Sequence, residues 1–147
     1  MTTRQDIITL LAAQLNPLVL LLGSDTASYT VVDYTDPAYL LKMYLLNGKV
    51  DVLFTVKRAN GLSSRFLQFI AHTEKTDFDI GVWCASKAPQ LNTDYTNLRD
   101  YAVKEVGRII KANPAYASEK AVRDDDHPKG NIQIFNTTVT VTNKVTS

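Results

Sequence analysis

The sequence predicts a single α+β domain, a small and largely antiparallel β-sheet packed by an N-terminal helix and a long helix in the C-terminal half. Three observations predict it. Two stretches carry apolar residues at helical spacing. Two others, "KVDVLFTVKR" and "KTDFDIGVWCA", alternate apolar and polar residues as half-buried strands do. The chain has 147 residues, enough for one domain over 1–147 that buries roughly 70% of its unfolded surface.

The elements follow in order. In "TTRQDIITLLAAQLNP", Thr3 caps a helix, with Asp6 three residues later as a short capping box. Ile7, Leu11 and Leu15 share a face, and Asn16-Pro17 ends the helix. Residues 28–35, "SYTVVDYT", are β-branched and aromatic and predict a short extended segment. Over 36–48 the reading divides. Asp36-Pro37 and Asn47-Gly48 bracket a short apolar helix, but residues 39–46 also fit an extended piece.

A strand follows, with Val50, Val52, Phe54 and Val56 on one face. "ANGLSS" reads as a loop and "RFLQFIAHTE" as a further strand of imperfect alternation. In the next strand Phe78, Ile80, Val82 and Cys84 face one way, and Asp77, Asp79, Gly81 and Trp83 the other. The long helix is expected over 93–112, capped by Asn92 or Thr93. Its stripe is Tyr95, Leu98, Ala102, Val106 and Ile109, with Arg99, Lys104, Arg108 and Lys111 mostly outside it. Residues 115–130 read as a polar connector. The closing strand carries Ile132 and Ile134, then Thr137, Val139 and Val141, which implies an irregularity near Asn136.

Charge is nearly balanced, with 16 Lys+Arg against 15 Asp+Glu. That argues against broad electrostatic binding of nucleic acid or an anionic membrane. A single cysteine forms no internal disulfide. Arg4 and Asp6 stand where the apolar part of a secretory signal would begin. The run "PLVLLL" is far short of the ~20 residues a membrane span needs. A soluble chain made inside the cell is expected.

The polar residues complete no recognisable catalytic pattern. Cys84 groups with core residues on its strand, and neither His72 nor His127 stands in a relation to it that would make a nucleophile. Asp124, Asp125, Asp126 and His127 invite a metal reading, but they lack the alternating spacing of a calcium loop, and a solvated loop is preferred. Nuclease strands want an acid, a spacer and a lysine; here Thr55 and Ala85 stand where the acid should be, before Lys57 and Lys87. No phosphate loop or nucleophile elbow is present. The expectation is a non-enzyme that binds no cofactor. A metal-dependent enzyme using residues 124–127 is the alternative of a different class, and a small endonuclease-like or adaptor domain is a third.

The string "DFDIGVWCASK", followed by "NLRDYAVKEVGRIIKANP", resembles the tail terminator (tail completion) proteins of long-tailed bacterial and archaeal viruses. There a strand ending in an alternating "xIxVWxxx" string precedes a helix of the "LRxxVxxEVxRII" kind. "RQDIITLLAAQL", "KVDVLFTVKR", "RDDDHPKGN" and "IQIFNTTVTVTNKV" fit the remaining order, whereas "DPAYLLKMYLLNGK" has no counterpart. The resemblance implies a virion structural subunit that closes a ring, usually a hexamer, on the tail tube and joins it to the neck. Its partners would be itself, the tail-tube protein and the neck or connector protein. It implies no membrane and no specific nucleic-acid contact. A neck or tail-tube protein is the near alternative. Arg58, Arg65, Lys75 and Trp83 are the candidate interface residues, the three charges flanking the strand–loop–strand region and Trp83 standing on the outer sheet face.

Overall fold

The computed structural model describes residues 3–58, 73–87, 91–113, 122–129 and 132–146. For 73–77, 122–129, 132, 140 and 142–146 it describes the backbone alone. The α+β reading holds. Helix α1 (Arg4–Gln14) leads through a 3₁₀ turn (Pro17–Val19) to a small hairpin of β1 (Leu21–Leu22) and β2 (Asp25–Thr26). Then come β3 (Tyr29–Asp33), α2 (Pro37–Leu40), β4 (Val52–Arg58), β5 (Thr73–Ala85), α3 (Asn92–Ala112), β6 (Val122–Lys129) and β7 (Ile132–Thr146). The main sheet has the order β3-β4-β5-β7-β6. Only β3 and β4 are parallel; β4–β5, β5–β7 and β6–β7 are antiparallel.

Helix α1 starts as its capping box requires. The Thr3 hydroxyl accepts the Asp6 N–H at 3.2 Å, and the Asp6 carboxylate accepts the Thr3 N–H at 2.8 Å. Helix α1 lies over β3 and β4, and α3 over β5 and β7. Between helices and sheet lies the main core. Ile7 and Leu11 come from α1, Leu98, Ala102, Val106 and Ile109 from α3, and Phe54, Phe78, Ile80, Val82 and Cys84 from the strands. Burying each large aliphatic or aromatic side chain here contributes about 1.5–3 kcal/mol.

The ambiguous stretch over 36–48 is helical. After one turn of α2 the backbone widens into a π-helix over Leu41–Leu46, and Gly48 ends it at φ 75°. Here glycine matters, because a left-handed φ strains any residue with a Cβ. This segment forms the crossover between parallel strands β3 and β4, and it packs on the second sheet face. Leu40, Leu41, Leu45, Val50, Leu53, Ala85 and Ile134 make a second core there.

That second core corrects the expectation of an irregularity near Asn136. The β5–β7 ladder runs without interruption from Ala85↔Ile134 to Thr73↔Thr146. Ile134 and Thr137 simply lie on opposite faces. Both faces are covered at this end of the sheet, so consecutive residues Ile134 and Phe135 are both buried.

Other expectations change as well. The metal-candidate stretch is not part of a loop. Residues 122–129 form edge strand β6, with Asp124 opposite Thr137 and His127 opposite Ile134. Pro128 is tolerated there because an edge strand has one side on which no donor is needed. The expected strand over 65–74 lies outside the described residues except for Thr73 and Glu74, which belong to β5. Helix α3 begins at Asn92, with Leu91 in the cap position and no side-chain cap bond. Arg99 is buried, not outside the apolar stripe: its guanidinium lies over the Phe135 ring at 5.2 Å. Among the described residues, no helix is long and apolar enough to cross a membrane.

Candidate functional site

Among the described residues, the second core covers only one end of the outer sheet face. Beyond it the face opens into a cavity of about 250 Å³. Its lining follows from the register. Thr55 and Lys57 come from β4, Asp79, Gly81 and Trp83 from β5, and Asn136 and Thr138 from β7. Tyr34 and Pro37, at the entry to α2, form the remaining wall.

Trp83 is half-buried, and its cover comes from its own chain. The Tyr34 ring stands 6.4 Å from it, tilted by 57°. Gly81 makes room for the indole. A Cβ at that position would lie 2.6 Å from Trp83 Nε1 and 2.5 Å from Thr55 Oγ1. Trp83 therefore lays its N–H edge over the strand, beside the cavity floor. Lys57 Nζ sits 5.0 Å from the centre of the Tyr34 ring, a cation–π contact. Asn136 is paired across the ladder with Trp83. Its Oδ1 is buried and, among the described residues, has no hydrogen-bond donor. An acceptor left in that state costs about 1–3 kcal/mol.

Of the predicted interface residues, the two with described side chains, Trp83 and Arg58, lie apart. Trp83 borders the cavity. Arg58 is exposed at the end of β4, opposite Phe78, five positions along β5 from Trp83. That is about 17 Å at ~3.4 Å per residue, and alternation puts Arg58 on the helix-bearing side. Lys75 lies in β5 opposite Lys144, and its side chain is not described. Arg65 lies outside the described residues. Sequence reading missed Lys57, Tyr34 and Asn136. Lys57 shares the outer-face parity of Thr55, a usable signal. Placing Tyr34 and Asn136 beside Trp83 required the long-range register.

Cys84 is fully buried, as its strand parity predicts, and burial pushes its thiol far above the usual range. It lies in the main core, away from the outer cavity. Among the described side chains, no group of three or more His, Cys, Asp or Glu stands close enough to hold a metal ion. Asp124, Asp125, Asp126 and His127 are outside that set.

No protein-family model matches the chain, and no curated protein matches it.

Proposed function

We propose that the chain is a virion structural subunit of the tail-terminator kind, closing a ring on the tail tube. The observation that carries this reading is the pair of outer strands of the main sheet. In the order β3-β4-β5-β7-β6, β3 and β6 stand at the two ends. Among the described residues, β3 pairs only with β4 and β6 only with β7.

Each outer strand presents one row of backbone donors and acceptors on the side away from its described partner. Unpaired edges of this kind are templates for strand addition by another chain. When each copy offers one edge and receives another, the contact is head-to-tail. Such contacts close a ring if the rotation per subunit matches the symmetry. Helices α1 and α3 cover one face of the sheet, which directs association to the edges and to the open part of the other face. The strand–helix strings over 77–114 agree with this reading.

Mass measurement of the purified chain across a concentration series tests it. A closed species of fixed stoichiometry, six by the family resemblance, is expected, alone or once tail tubes are added. A chain that stays monomeric with and without tubes contradicts it.

A further inference from the structure

We infer that the outer-face cavity is a binding site for a planar amide, a group presenting one N–H and one C=O on the same edge. The inference is independent of ring assembly. It starts from a chemical mismatch. Asn136 Oδ1 is a buried acceptor with no donor among the described residues, and buried acceptors in native proteins are satisfied in the great majority of cases. A group entering the cavity with an N–H would satisfy it.

Donors line the same cavity. Trp83 Nε1 lies over Gly81, and Lys57 lines the same space. Either can donate to a carbonyl oxygen held beside Asn136. The hydroxyls of Thr55 and Thr138 line the cavity and serve as donor or acceptor. The walls are flat: Tyr34 and Trp83 offer ring surface to a planar group. A volume of about 250 Å³ takes a single substituted ring and excludes a drug-sized molecule, since ligand pockets for those span ~300–1,000 Å³.

The polar groups also discriminate. Lys57 and Asp79 both line the cavity, so it carries charge of each sign. A carboxylate would satisfy Lys57 but bring no N–H to Asn136 and would face Asp79. An amidinium would satisfy Asn136 but bring no acceptor to Trp83 Nε1 or Lys57. An uncharged amide satisfies both sides, which is the basis for preferring it.

The sole tryptophan is a wall of the site, so its fluorescence reports occupancy directly. The full chain is titrated with benzamide, benzoate and benzamidine. Benzamide is expected to give a saturable change in Trp83 emission, with an affinity at least tenfold above that for benzoate. Asn136→Leu removes the orphaned acceptor without leaving a buried polar group, so its fold is retained, as circular dichroism will verify. It is expected to weaken benzamide at least tenfold. Asn136→Asp is expected to shift preference toward benzamidine. Equal benzamide affinity in wild type and Asn136→Leu overturns the proposal. So does tightest binding of benzoate, which would make this an anion site on Lys57. Absence of saturable change with all three probes also overturns it, leaving Asn136 satisfied by water alone.

Discussion

The Glu105 carboxylate accepts the backbone N–H of Asn16 at 2.6 Å, tying the middle of helix α3 to the turn that ends α1. Arg108 closes the same junction from the other side. Its Nε donates to Glu105 at 2.6 Å, and its Nη2 donates to the Gln14 carbonyl at 2.9 Å. Glu105 is buried, at 4% exposure, so this is a charged acceptor inside the fold with its partners supplied. Asn113 adds a third tie, from its Nδ2 to the Gln14 side chain at 3.1 Å.

The Glu105 contact sets a pH dependence. The hydrogen bond from Arg108 holds the Glu105 carboxyl below the usual range, helped by the Asn16 N–H and opposed by burial. A carboxyl depressed in the folded state contributes stability above its unfolded pKa, and that contribution is lost as pH falls through the folded pKa. Stability is therefore expected to fall below about pH 4.3, the usual glutamate value. Glu105→Gln should be less stable at neutral pH and lose this acid-side slope. Glu105→Ala should cost about 1–3 kcal/mol at neutral pH. Urea unfolding at several pH values measures all three.

Gly81 is the second test. Its missing Cβ leaves space for the Trp83 indole and the Thr55 hydroxyl, and alanine would press on both. Overpacking of this kind costs about 1–3 kcal/mol. Gly81→Ala is expected to lower the thermal midpoint and to change Trp83 emission, because the indole must move. Unchanged emission would show that the ring does not rest where the geometry places it.

Cys84 supplies a third. Its thiol is fully buried and its proton is held tightly by that burial, so the thiolate that reacts is scarce in the native state. Ellman's reagent is expected to leave the native protein unlabelled and to titrate one thiol after unfolding in denaturant. Rapid labelling of the native chain would place Cys84 at a surface.

The outer strand β6 gives the fourth. Successive residues of a strand direct their N–H groups to opposite edges. Asp125→Pro and Asp126→Pro therefore differ: one removes a donor facing β7, the other a donor facing outward. The outward-facing variant is expected to keep the monomer's thermal midpoint and lose oligomerisation. The other is expected to lower both. Full assembly by both variants would exclude β6 from the subunit contact.

Much of this architecture was legible in the sequence, for identifiable reasons. The Thr3–Asp6 box, the β4 and β5 alternation and the α3 stripe are local patterns, and each governs its own element. The buried positions of Cys84 and Phe78 follow from parity alone. What was not legible depends on partners distant in sequence. Arg99 looks like a surface charge on a helical wheel and is buried because Phe135, from the last strand, receives its guanidinium. Asn136 suggested a break because Ile134 and Thr137 differ in parity, and only the cover of α2 on the second face explains both. Residues 122–129 are polar enough to look like a loop, yet as an edge strand they need only one bonded side. The cavity was half visible. Trp83 and Asp79 share a face by alternation, whereas Lys57, Tyr34 and Asn136 join them through ladder register and a crossover.

Electron microscopy of the purified chain mixed with tail tubes tests ring closure most directly. The account predicts a ring of defined stoichiometry seated at tube ends, with tube growth stopped there. Bare tube ends beside a protein that remains monomeric would contradict it.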